Sequence, residues 1–174
     1  MKYANKLGLG LLVAALAVTG CSDENKTPPA AKDKGTAKDG GKKEENHAHG
    51  NGPNGGVTFD MGKYHAEFTV DHPKKEVTIL FLKSVEGKKE TDWPTEAVAA
   101  KELTLSTKAT KVEEGADKGK VVPPMTITLK PADAKDGKAS KFVGTDPGVG
   151  NVADFAGTVL GEIDGKPSQG EFKE

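Results

Sequence analysis

The chemistry open to this chain starts with its histidines. His47, His49, His65 and His72 lie close together in a chain of 174 residues. His47 and His49 are spaced i, i+2, which in an extended segment puts both imidazoles on the same side. His65 and Glu67 repeat that spacing on an alternating stretch. Neutral imidazoles and a carboxylate suit Zn(II) or Cu(II). His47, His49, His65 and Glu67 are therefore the candidate ligands. Residues 51–56, rich in glycine, are expected to form a flexible connection that lets one pair fold back on the other. Each pair also has a plainer reading. His47 and His49 fit a polar linker, and His65 and Glu67 fit a solvated strand face or a cross-strand pair. His72 is expected to face solvent from the turn at residues 71–75.

Positioning such a set needs rigid elements, and the pattern predicts strands. In residues 64–71, Tyr64, Ala66, Phe68 and Val70 fall on one face, and His65, Glu67, Thr69 and Asp71 on the other. Residues 76–83 carry Val77, Ile79 and Phe81 on one face and Leu80 and Leu82 on the other, as in a central strand. Further runs occupy residues 57–60, 103–107, 125–130, 141–145 and 155–163. Asp164-Gly165 suits a tight hairpin turn with positive φ angles, returning through residues 168–172. Residues 95–101 fit a helical turn or an edge strand. Tyr64, Phe68, Val70, Val77, Ile79, Phe81, Ile127, Leu129, Phe142, Phe155, Val159 and Ile163 form the candidate core. Seven or eight short strands with turn residues between them predict an all-β fold: an antiparallel β-sandwich, immunoglobulin-like in architecture, over residues 51–174.

Gly52-Pro53-Asn54-Gly55-Gly56 followed by Tyr64-His65-Ala66-Glu67 resembles a pattern in small secreted proteins of planctomycete-type bacteria. Those proteins carry a His-rich stretch, then Gly-Pro-His-Gly-Gly, then Tyr-His-Ala-Glu on the first long strand. Similar His-Gly-Gly and His-x-Glu segments occur near the start of some periplasmic metal-efflux adaptor proteins. Lys141-Phe142-Val143-Gly144-Thr145-Asp146 also looks like a later strand of the planctomycete group. The resemblance spans most of residues 47–172 and implies a shared fold more firmly than a shared function. Asn54 stands where that group has histidine, which removes one implied ligand.

The N-terminus reads as an export signal. Lys2 and Lys6 precede an apolar run at residues 7–18, too short for a span of about 20 residues. Val18-Thr19-Gly20-Cys21 resembles the lipobox of bacterial lipoproteins. That resemblance implies a diacylglycerol on Cys21, cleavage before it and acylation of the new amine. Two or more chains anchor stably where one does not. An uncleaved anchor helix is the alternative. Ser22, in place of an aspartate, favours the outer membrane over the inner. Residues 21–50 read as a lipid-anchored disordered linker, because mixed charge with little apolar surface cannot offset ordering entropy.

Composition narrows the function. All 25 basic residues are lysine, and the net charge is -1. Without arginine forks or a basic patch, no nucleic-acid partner is expected. Aromatic content of 5% leaves few flat platforms for sugars. Cys21 is the sole cysteine, so lipidation would leave no disulfide or thiol site. Residues 146–151 with Asp154 lack the alternating acids of a calcium loop. No nucleophile elbow surrounds any serine, and no enzyme is expected. The expected function is a membrane-anchored envelope lipoprotein whose β-domain binds or buffers Zn or Cu. The alternative is a non-catalytic structural or interaction domain with no small ligand, contacting another envelope protein.

Overall fold

Two-residue turns set the register at both ends of the chain's sheet. The computed structural model describes residues 49–174. The signal peptide, Cys21, most of the linker and His47 lie outside the described residues. Strands β1 (Val57–Met61) and β2 (Tyr64–Asp71) meet across Gly62-Lys63, with Met61 opposite Tyr64. Gly62 has φ +65°, which glycine adopts at no steric cost in such a turn. Strands β9 (Ala156–Ile163) and β10 (Lys166–Lys173) meet across Asp164-Gly165, both at positive φ (50° and 75°).

Between them run β3 (Glu76–Leu82), β4 (Leu103–Thr107), β7 (Thr126–Pro131) and β8 (Lys141–Thr145). The main sheet has the order β1-β2-β3-β8-β7-β4-β9-β10, antiparallel throughout. The fold is all-β, as the alternation predicts, and β3 is an interior strand. A separate ribbon of β5 (Thr110–Lys111) and β6 (Val121–Val122) stands outside the main sheet. Two residues per strand are too few to show a period.

Two halves, β1-β2-β3-β8 and β7-β4-β9-β10, face each other across one core. Phe68, Ile79, Phe81, Leu103, Leu105, Leu129, Phe142 and Val159 are fully enclosed there. Of the twelve residues expected in the core, all are buried except Val70, which is half-buried and packs against it. Phe68 of β2 stacks on Phe172 of β10, with ring centroids 4.1 Å apart. Phe81 meets Phe142 edge-on at 5.7 Å. Such aromatic pairs add about 0.5–1.5 kcal/mol beyond the burial of their surface.

The halves are joined on both sides, which makes the sheet nearly a closed barrel. On one side β7 and β8 pair at Lys130–Val143 and Pro131–Phe142. On the other, β10 lies so close to β1 that a Cβ on Gly170 would sit 2.3 Å from the Asp60 carbonyl oxygen. The Tyr64 hydroxyl donates to Asp164, tying the tip of the first hairpin to that of the last.

Residues 95–101 form neither a helical turn nor a regular edge strand. Thr95 bridges to Leu82 at the end of β3, and Val98 bridges to Ala139, which precedes β8. Pro94 has no N–H to extend the ladder, although its carbonyl accepts from Lys83 N at 2.8 Å. His72 is half-buried rather than solvent-facing. Its Nδ1 donates to the Val149 carbonyl at 2.8 Å. Asp146 accepts from Gly148 N at 2.8 Å, so its carboxylate caps the short 3-10 turn Pro147–Gly150.

Candidate metal centre

The outer face of the first hairpin carries the polar residues that alternation leaves over. Phe59 and Met61 of β1 turn inward and are buried, which puts Thr58 and Asp60 outward. On β2 the outward residues are His65 and Glu67. Register places Asp60 directly opposite His65, and Thr58 opposite Glu67. Two further segments cover this face. The chain before β1 folds back along it, with Thr58 N donating to the Gly50 carbonyl at 3.2 Å. The loop after β3 returns through the 3-10 turn Glu90–Asp92, delivering Glu90 and Trp93.

His49, Asp60 and His65 thereby converge, with one ligand atom from each lying within 4.8 Å of the others. His49 Nε2 is 3.2 Å from Asp60 Oδ1, and His65 Nδ1 is 3.0 Å from the same oxygen. Both nitrogens are buried, and neither has a hydrogen-bond partner of proper geometry. Buried polar atoms are almost always satisfied, so these two nitrogens, both turned toward one carboxylate oxygen, stand out in the fold. Separations of 3.2 and 3.0 Å suit a hydrogen bond and also the ligand-to-ligand spacing around a small cation. Tetrahedral Zn(II) with bonds of about 2.0–2.1 Å holds its ligands about 3.3 Å apart.

Glu90 stands behind His49. Its Oε1 accepts from His49 Nδ1 at 3.0 Å, and its Oε2 accepts from Thr58 Oγ1 at 2.6 Å and Gly50 N at 2.7 Å. With its proton on Nδ1, the His49 ring turns the lone pair of Nε2 toward Asp60. A carboxylate on the far nitrogen is the usual outer partner of a metal-binding histidine. The His65 ring is walled by Trp93, with centroids 4.7 Å apart.

The charges of the site answer one another. Burial lowers the His49 pKa, but the Asp60 and Glu90 carboxylates against its two ring nitrogens outweigh it and hold the imidazole above its ordinary value. Burial raises Glu90, yet the donors Thr58, His49 and Gly50 hold it below the usual carboxylate range. Two imidazoles and one carboxylate are a fitting set for Zn(II) or Cu(II).

Of the residues expected as ligands, the structure brings His49 and His65 together. It does not bring Glu67 to them. Glu67 is completely buried and accepts from Asn54 N (2.8 Å), Asn54 Nδ2 (2.8 Å) and Gly56 N (3.0 Å). Its oxygens are spent on the turn at residues 51–56, and Asp60 supplies the carboxylate at the cluster. That turn is not a loose connection either, since Gly52 N donates to the Gly56 carbonyl at 2.8 Å and both residues are buried. Asp60 was legible in principle. Met61-Gly62-Lys63-Tyr64 is a two-residue hairpin signature, and its register sets Asp60 against His65. Glu90 carries no local signal, because a long loop delivers it.

Fold and site together define an all-β, barrel-like domain with a His-Asp-His cluster on one outer face. Compared with known proteins, the chain matches no family model, no curated protein and no solved structure.

Proposed function

We propose that this protein binds a divalent transition metal, Zn(II) or Cu(II), through His49 Nε2, His65 Nδ1 and the Asp60 carboxylate, with Glu90 orienting His49. One observation carries this: two buried ring nitrogens without a well-formed hydrogen bond, 3.2 and 3.0 Å from a single carboxylate oxygen. Three protein ligands on a partly exposed face suit a site that takes up and releases metal. The Val18-Thr19-Gly20-Cys21 sequence supports the companion proposal that the domain works at the cell envelope, held by lipid on Cys21. Together they describe an anchored protein that buffers or presents metal at a membrane surface.

X-ray absorption on the zinc-loaded protein tests the ligand set. Imidazole nitrogens and a carboxylate oxygen at about 2.0–2.2 Å are expected, with the imidazole signal falling in His65→Ala. A spectrum of water oxygens without imidazole scattering would sink the proposal.

A further inference from the structure

Glu67 lies on the same outward face as the two β2 and β1 ligands, yet it is completely buried. What covers it is the turn at residues 51–56, which lies between ligand His49 and ligand Asp60 in the chain. Three hydrogen bonds from Asn54 and Gly56 converge on the Glu67 carboxylate. Gly52 presses on it so closely that a Cβ there would sit 2.5 Å from Glu67 Cδ. Gly56 is packed as tightly on the other side, where a Cβ would sit 2.0 Å from the Phe68 carbonyl oxygen. Gly55, at φ +80°, completes the bend. The turn is therefore pinned to β2 through one side chain.

What the turn delivers is the segment that contains His49 and Gly50. Asn51 bridges to Val57, and both Gly50 and His49 then reach Glu90. We infer that Glu67 is a positioning residue of the metal centre: it binds no metal, but fixes the turn that holds His49 Nε2 against Asp60. The inference rests on the metal-binding reading above. Asn54 has a matching part, since its backbone and side-chain N–H groups both donate to this carboxylate. A glutamine at position 67 would keep one oxygen for the two backbone N–H groups. The Asn54 amide can turn over to meet the new NH2 group.

The test is zinc chloride titration of the purified protein and of Glu67→Ala, Gly52→Ala, Glu67→Gln and His49→Ala. Glu67→Ala and Gly52→Ala are expected to weaken zinc binding roughly 10–100-fold, the range for residues behind the ligands. Neither should weaken it further once His49 is alanine, because both act through that ring. Glu67→Gln should bind within about threefold of wild type, since its turn is intact. The metal-free protein gives a second readout, the 15N ring signals of His49. These should report a hydrogen-bonded Nδ1–H in wild type and Glu67→Gln, and lose it in Glu67→Ala and Gly52→Ala. Additive losses with His49→Ala, or unchanged His49 ring signals, would overturn the inference. If Glu67→Ala does not fold, Gly52→Ala and Glu67→Gln decide it. If wild type binds no zinc, the function proposal fails, and the ring signals alone decide the role of Glu67.

Discussion

Asp60 of β1 and His65 of β2 are cross-strand partners, and Asp60 Oδ1 lies 3.0 Å from His65 Nδ1. This pair is built by the hairpin itself. Once Gly62-Lys63 makes a two-residue turn, the pleat sends both side chains to the outer face. His49 joins from outside the hairpin. The centre is thus half rigid and half assembled, and its parts should respond differently to substitution.

Glu90 should matter to metal affinity without touching the metal. Glu90→Ala removes the acceptor that sets the His49 tautomer, and zinc affinity should fall roughly 10–100-fold. Titration of the variant checks this. An affinity equal to wild type would show that the Nδ1 hydrogen bond does not govern the ligand.

Protons and metal should compete at His49, with opposite effects of pH. The His49 pKa is raised in the folded state. Its contribution to metal-free stability is therefore fully present below the unfolded value of about 6.5, and is lost as pH rises through the higher folded value. Metal needs the neutral ring, so affinity should increase over that same rise. Thermal unfolding at pH 6 and pH 8, with chelator and with excess zinc, reads both. Zinc should raise the midpoint more at pH 8 than at pH 6. An equal rise at both would exclude a histidine ligand that titrates in this window.

The core should be intolerant of truncation at its centre. Phe81 is completely buried between Tyr64 and Phe142. Phe81→Ala should cost about 3–5 kcal/mol, the lost transfer energy plus a cavity. Denaturant unfolding measures it, and a loss below about 1 kcal/mol would mean that the site collapses or the ring is not enclosed.

Anchoring has its own test. Cys21→Ala should abolish lipid attachment and release the protein from the membrane fraction. Mass spectrometry of the wild type should show the acyl mass on Cys21. Unlipidated wild type, together with unchanged fractionation of the variant, would remove the lipobox reading.

Much of the fold could be read from the residues because alternation is a local property. Tyr64, Ala66 and Phe68 announce their face within a few positions, as do Val77, Ile79 and Phe81. The Asp164-Gly165 turn is equally local. The near closure of the barrel is not, since it depends on Gly170 meeting Asp60 across a seam that no short window contains. The centre divides the same way. His49 and His65 are conspicuous by type. Glu67 shares the spacing of a ligand, but burial under residues 51–56 gives its oxygens other partners. Asp60 follows from the hairpin register, whereas Glu90 arrives through a loop whose course depends on tertiary packing.

Calorimetric titration of zinc into the wild type and into His49→Ala, Asp60→Ala and His65→Ala tests the centre most directly. Asp60→Ala is the sharpest variant, because it separates this cluster from any site built on Glu67. One zinc per chain is expected for the wild type, with binding weakened at least tenfold in each variant, about 1.4 kcal/mol or more. Absence of zinc and copper binding by the wild type, or wild-type affinity in Asp60→Ala and His65→Ala, would contradict the metal centre and favour a domain that works through protein contacts alone.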